Sequence, residues 1–180
     1  MVADGHIPEG ELCRPRTDAD IGETLAGVLD RELTGYVVFE PQGSILFGND
    51  ERAVLTFEAG VPVLAYHSAS DAGGRAALDA LTGDLFHAEV YELAADALAA
   101  AHRVEELRVA PSAPADVLAD DETLVDRTRD AAPEDRLADA AGASAVEAFL
   151  ADADRIDAIR DEARAEAQAR AAEWGLAEQL

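Results

Sequence analysis

The sequence predicts an α+β fold: an N-terminal helix, an antiparallel meander of about five short strands with one inserted helix, and a helical C-terminal region. Three observations carry this. Residues 18–33 place apolar side chains at helical spacing, residues 36–66 switch to short β-branched and aromatic runs broken by turn residues, and beyond Pro114 the helical period returns.

In the first segment Ile21, Leu25, Val28, Leu29 and Leu33 fall on one helical face, so the helix is amphipathic and docks on a core. Thr17 or Asp18 can cap its start, and Gly35 can end it. The strands follow as YVVFE (36–40), ILF (45–47), AVLTF (53–57) and VPVLAY (61–66), with turn composition at Pro41–Ser44 and a polar break at Gly48–Arg52. Glu58-Ala59-Gly60 between the last two is a hairpin signal, because glycine takes the left-handed conformation that a tight reversal needs. Pro62 lacks a backbone donor, which assigns its strand to an edge or makes it the strand's start. Ser70–Gly74 leads into a short helix, Arg75–Leu81, which Gly83 can stop. Leu85–Leu93 then alternates, Phe86, Ala88 and Val90 against Leu85, His87, Glu89 and Tyr91, as a half-buried fifth strand does. Ala94–Val109 reads as another helix.

Pro111-Ser112-Ala113-Pro114 is the clearest break in composition. The expected organisation is a mobile N-terminus (1–17), an α+β domain (18–110), a proline-containing linker (111–114) and a helical C-terminal extension (115–180). Within the extension, residues 115–128, 134–141 and 143–173 are helical candidates. Val146, Phe149, Leu150, Ala153, Ile156 and Ile159 form an apolar stripe, but from Ala163 the stripe is alanine alone until Trp174. Asp157 with Arg160, Asp161 with Arg164 and Glu166 with Arg170 suit a solvated helix. The alternative is a coiled-coil helix through which the chain self-associates.

The charge is extreme: 38 acidic residues against 14 basic ones, net −24. Residues 1–110 carry 20 acidic and 7 basic side chains and residues 111–180 carry 18 and 7, so the excess is spread over the chain rather than confined to a tail. All the basic residues are arginine. Such a surface repels itself at low salt, where the Debye length is ~30 Å at 0.01 M, and is relieved at 1 M, where it is ~3 Å. The pattern resembles proteins of halophilic archaea. No long apolar run and no signal-peptide pattern occurs, so a soluble, cytoplasmic protein without membrane insertion is expected. A single cysteine, Cys13, excludes an intrachain disulfide and a cysteine-based zinc site; Arg14 and Arg16 could lower its thiol pKa, but an incidental cysteine is the simpler reading.

No catalytic, cofactor or metal motif is present. His6, His67, His87 and His102 lack metal-ligand spacing, and Asp152, Asp154 and Asp157 lack the glycine of a calcium loop. Gly73-Gly74-Arg75 before a helix suggests an anion site, but a turn plus helix start explains it and no lysine exists to build a phosphate loop. Ser44, Ser68, Ser70, Ser112 and Ser144 occupy turn or cap contexts. Arginines cluster only weakly, at Arg14/Arg16 and Arg127/Arg129, which disfavours nucleic acid as a partner.

The runs Thr34–Phe39 (TGYVVF) and Ala53–Tyr66 (AVLTFEAGVPVLAY), the helix near Arg75–Leu81 and Gly83–Phe86 (GDLF) together resemble the PATAN (PatA N-terminal) type of domain over residues 33–93. That resemblance implies a non-catalytic part of a signalling or motility system. Its members are often joined to receiver domains, which are absent here, and the C-terminal helices have no counterpart in the pattern. The expected function is therefore a non-catalytic protein-interaction or signalling adaptor module of a halophilic cytoplasm, whose sheet or Pro62 edge binds a protein partner. One alternative is a small enzyme using His67 and His87 with carboxylates such as Asp71 as acid and base. Another is an acidic regulator contacting DNA through Arg127, Arg129 and Arg136.

Overall fold

A computed structural model describes residues 7–41, 52–81 and 86–151. Its centre is a six-stranded sheet in the order β1-β6-β2-β3-β4-β5. The strands are β1 (Glu11–Ala19), β2 (Gly35–Pro41), β3 (Ala53–Glu58), β4 (Val61–His67), the two-residue β5 (Ala72–Gly73) and β6 (Phe86–Glu92), and every pairing is antiparallel. The fold is α+β, as the alternating runs predict. Strands β2, β3 and β4 pair in chain order, but β2 pairs directly with β3, where the meander read from sequence set the ILF run between them, β5 lies where a turn was read, and β6 returns to the far side and pairs with both β2 and β1. The ILF run lies outside the described residues.

Helix α1 (Ile21–Asp30) starts at Asp20, whose carboxylate accepts the Glu23 N–H at 3.0 Å. The cap falls later than Thr17 or Asp18 because both belong to β1. The segment expected to be a mobile N-terminus is thus partly an edge strand held by backbone bonds to β6. The β3–β4 reversal is tighter than the three-residue loop read from sequence: only Ala59 and Gly60 intervene, both at positive φ, 48° and 81°. A Cβ on Gly60 would sit 2.9 Å from the Leu29 Cα, so glycine also lets the hairpin tip meet the end of α1.

One face of the sheet carries the main core. Leu25, Val28 and Leu29 of α1 meet Val37, Phe39, Leu55, Phe57, Ala65, Phe86 and Val90, with Ala77 and Leu78 from α2 (Gly74–Ala80). Phe39 and Phe86 pack edge to face at 6.3 Å. The expected helix over 94–109 is in fact the short α3 (Ala95–Leu98) and two 3₁₀ turns, after which Arg108 bridges to Leu64 and the Val109 N–H donates to the Val63 carbonyl.

The proline break does not mark a domain boundary. Pro111 and Pro114 are fully buried, and Ala115 and Leu124 join the main core. Residues 115–119 form a π turn and α4 spans Glu122–Ala131, capped by Asp121, which accepts from the Thr123 and Leu124 N–H groups. Prolines with small neighbours have no donor to leave unsatisfied, so this chain reversal is buried as apolar material. The chain instead divides into Met1–Ala140 and Ala141–Leu180, and α5 (Glu134–Ala151) runs through the division. The stripe at Ala153, Ile156 and Ile159 and the coiled-coil reading of 152–173 lie outside the described residues.

Candidate interaction surface

Among the described residues, the second face of the sheet is covered over only part of its width. Cross-strand partners share a face, so the register lays out its rows directly. One row is Leu12, Tyr91, Tyr36 and Thr56; the next contains Glu89, Val38 and Val54. Cover begins at Thr56, which is buried and whose Oγ1 lies 3.0 Å from His102 Nε2 on the first 3₁₀ turn. Leu64, Leu98 and Ala101 are also buried, outside the main core. Toward β1, Tyr36, Val38, Glu89 and Tyr91 stay half-buried, as does Val54 on β3, and Leu12 is 50% exposed.

Tyr36 and Tyr91 stack, centroids 4.7 Å apart and planes 14° from parallel. The Tyr91 hydroxyl donates to Glu89 Oε2 at 2.8 Å, and the Tyr36 hydroxyl accepts from the Gly10 N–H at 3.3 Å. Burial, the bond to Glu89 and the negative charge of Glu89, with smaller effects of Tyr36 and Glu9, push the Tyr91 phenol up to about 12. This stretch of sheet therefore combines apolar area, aromatic rings and fixed negative charge. Beside it, burial raises the Cys13 pKa, as does the neighbouring Glu92 carboxylate, 3.5 Å from its Sγ, which agrees with an incidental cysteine rather than a thiol activated by Arg14 and Arg16.

The free edge is less inviting than the face. In β1 the register slips between Leu12 and Arg14 and again between Arg14 and Thr17, and Pro15 lies within the second slip. Bulges and proline are devices that block strand addition. Nor is the Pro62 strand an open edge. Its outer side is taken by β5 and by Arg108–Val109, and the Pro62 carbonyl accepts from Arg136.

The polar groups under the cover hold structure together. His102 sits between Thr56 and Glu58, whose Oε2 lies 3.9 Å from Nδ1. Burial lowers its pKa; Glu58 opposes this, while Arg136 and Arg108 add to it. Arg136 donates to the Pro62 and Val109 carbonyls, both at 3.0 Å, tying the start of α5 to β4. Burial, then Arg108, lowers its pKa.

The residues considered for chemistry from sequence do not converge. His67 and His87 lie on β4 and β6 with β2 and β3 between them, so about three strand spacings of ~4.8 Å separate their backbones. His67 is only 4% exposed, and its Nδ1 lies 2.8 Å from Ser70 Oγ and accepts the Ser70 N–H at 3.4 Å. Asp71 instead accepts from the Tyr66 hydroxyl at 2.7 Å. Arg75 pairs with Asp79, and the glycines before it answer to packing: a Cβ on Gly73 would lie 2.6 Å from the Glu106 carbonyl oxygen. Arg127 pairs with Asp30 and Arg129 with Asp126, while Arg136 is turned to backbone carbonyls, so the three arginines present no shared basic patch. Among the described residues no group of His, Cys, Asp or Glu could hold a metal ion, and no helix is long and apolar enough to cross a membrane. His6 and the Asp152, Asp154 and Asp157 triplet lie outside them.

No motif in the sequence marks the Tyr36–Tyr91 pair; its one signal is that both tyrosines fall on the polar phase of alternating strands, where an aromatic ring has no core to fill.

In comparison with known proteins, the family described as Domain of unknown function (DUF8572) matches residues 6–176. No curated protein and no solved structure matches.

Proposed function

Since the chain belongs to the DUF8572 family over nearly its whole length, and that description assigns no activity, we propose from its own geometry that it is a non-catalytic protein-interaction module. The observation that carries this reading is the half-open second face, where Leu12, Tyr36, Val38, Val54 and Tyr91 form one patch beside a covered region of the same sheet. Apolar and aromatic side chains on a face that no described residue covers gain by being covered. The PATAN resemblance of residues 33–93 supports the same class of function, a signalling or motility adaptor. The lysine-free, uniformly acidic composition supports a halophilic archaeal cytoplasm as its setting. The acid–base and DNA-contacting alternatives lose their motive: His67 and His87 stand apart, and Arg127, Arg129 and Arg136 are engaged separately.

The test is co-purification of the full chain from a halophilic host in molar KCl, with the wild type and Val38→Asp compared. A partner retained by the wild type and lost by a folded Val38→Asp supports the reading. Equal retention by both, or no retained protein, overturns it.

A further inference from the structure

We propose that the open face receives an arginine side chain from its protein partner, the guanidinium lying over the Tyr36–Tyr91 pair and ion-paired with Glu89. The inference rests on the interaction-module reading and adds the chemistry of the partner.

The geometry supplies each part of such a seat. Tyr36 and Tyr91 are stacked and half-buried, so each ring covers one face of the other and the outer face of the pair is the negative surface to which a cation is drawn. Glu89 is held beside them by the Tyr91 hydroxyl. A carboxylate has about four lone-pair sites and that bond uses one, which leaves acceptors for a guanidinium fork. Leu12, Val38 and Val54 flank the rings, apolar surface along which the methylene stem of an arginine can lie. The upward push on the Tyr91 phenol comes first from burial and then from Glu89, with smaller contributions from Tyr36 and Glu9.

Charge selects among occupants. A second copy of the chain would bring its own Glu89 to a symmetric contact and add to a net charge of −24, so self-association on this face is opposed. Arginine is favoured over lysine because the planar guanidinium stacks on aromatic rings and is more weakly hydrated than an ammonium. In molar salt the long-range field vanishes, but stacking and direct ion-pair contact within the Debye length of ~3 Å remain. The chain's own cations, all arginine, show which basic residue this composition retains.

The probe is a short acetylated glycine–arginine–glycine amide peptide, with lysine and glutamate versions for comparison, titrated against the full chain in KCl and read by amide chemical shifts. The expected result is saturable shifts centred on Tyr36, Val38, Glu89 and Tyr91, with the arginine peptide bound about threefold or more tighter than lysine and no binding of glutamate. Glu89→Gln should weaken binding about fivefold, and Tyr91→Phe, which keeps the ring but releases Glu89, should weaken it by a smaller factor of about two. Tyr36→Leu combined with Tyr91→Leu should abolish saturation while the remaining spectrum stays dispersed. Shifts scattered over the acidic surface, no loss in Glu89→Gln, or a dimer whose light-scattering mass falls on Tyr91→Leu would each overturn the proposal. If the peptide fails but the co-purified partner is still lost on Val38→Asp, the arginine seat is wrong and the interaction-module reading stands. If that partner is also retained by Val38→Asp, both fall.

Discussion

Replacing Leu124 by alanine separates two accounts of the C-terminal region. A helical extension beyond a linker at 111–114 would register the change as a surface substitution, within about 0.5 kcal/mol. In the structure Leu124 is 2% exposed and belongs to the same core cluster as Leu25, Val28 and Leu29 of α1. The substitution removes about three buried carbons at ~0.8 kcal/mol each, or ~2.4 kcal/mol of transfer free energy. The cavity left behind brings the expected loss to about 3–4 kcal/mol, because core leucines replaced by alanine cost ~2.7–5.0 kcal/mol. The assay is urea denaturation at one fixed KCl concentration, followed by circular dichroism and tyrosine fluorescence. The midpoint should fall with an unchanged slope, the two probes should coincide, and Tm should drop by roughly 6–14 °C. A loss under about 1 kcal/mol would refute the packing of α4 on the sheet's core.

Three further outcomes follow from named groups. His102 is held below its ordinary pKa by burial, so the unfolded chain takes the proton first; stability is fully present above the unfolded value of about 6.5 and declines as pH falls from there through the lower folded value. His102→Gln should flatten that limb in denaturation curves collected across the acid range. Tyr91 should ionise at about 12, seen by ultraviolet difference absorbance, and Glu89→Gln should bring its titration down toward the ordinary tyrosine value. Removing salt to ~10 mM should destabilise the fold, since a net charge of −24 is then unscreened; a Tm independent of KCl would count against adaptation to salt.

The parts of the fold legible in the sequence are those whose side chains alternate or recur with a clear period. Ile21, Leu25, Val28 and Leu29 announced α1, and the runs at 36–40, 53–57, 61–66 and 85–93 announced the strands that carry the core. Strand β1 was illegible because ELCRPRTDA has no apolar alternation; an edge strand can be held by backbone bonds alone. Strand order was illegible for a different reason. Periodicity specifies a strand's faces but not its neighbours, so nothing in LFHAEVYEL shows that it inserts between β1 and β2, which is what parts His87 from His67. Pro111 and Pro114 misled because proline-rich composition usually marks exposed linkers, while here both rings are buried. Of the candidate surface, the strands and the polar phase of Tyr36 and Tyr91 were readable, but their stacking depends on the β2–β6 register.

The central claim is that the chain meets its partner through the open face of β1, β6 and β2. Side-chain oxidative footprinting of the full chain, free and bound to its co-purified partner in molar KCl, tests it most directly. Protection concentrated at Leu12, Tyr36, Val38 and Tyr91 is the predicted result. Protection on α1 and α4 instead, with those four side chains as reactive in the complex as in the free chain, would contradict it.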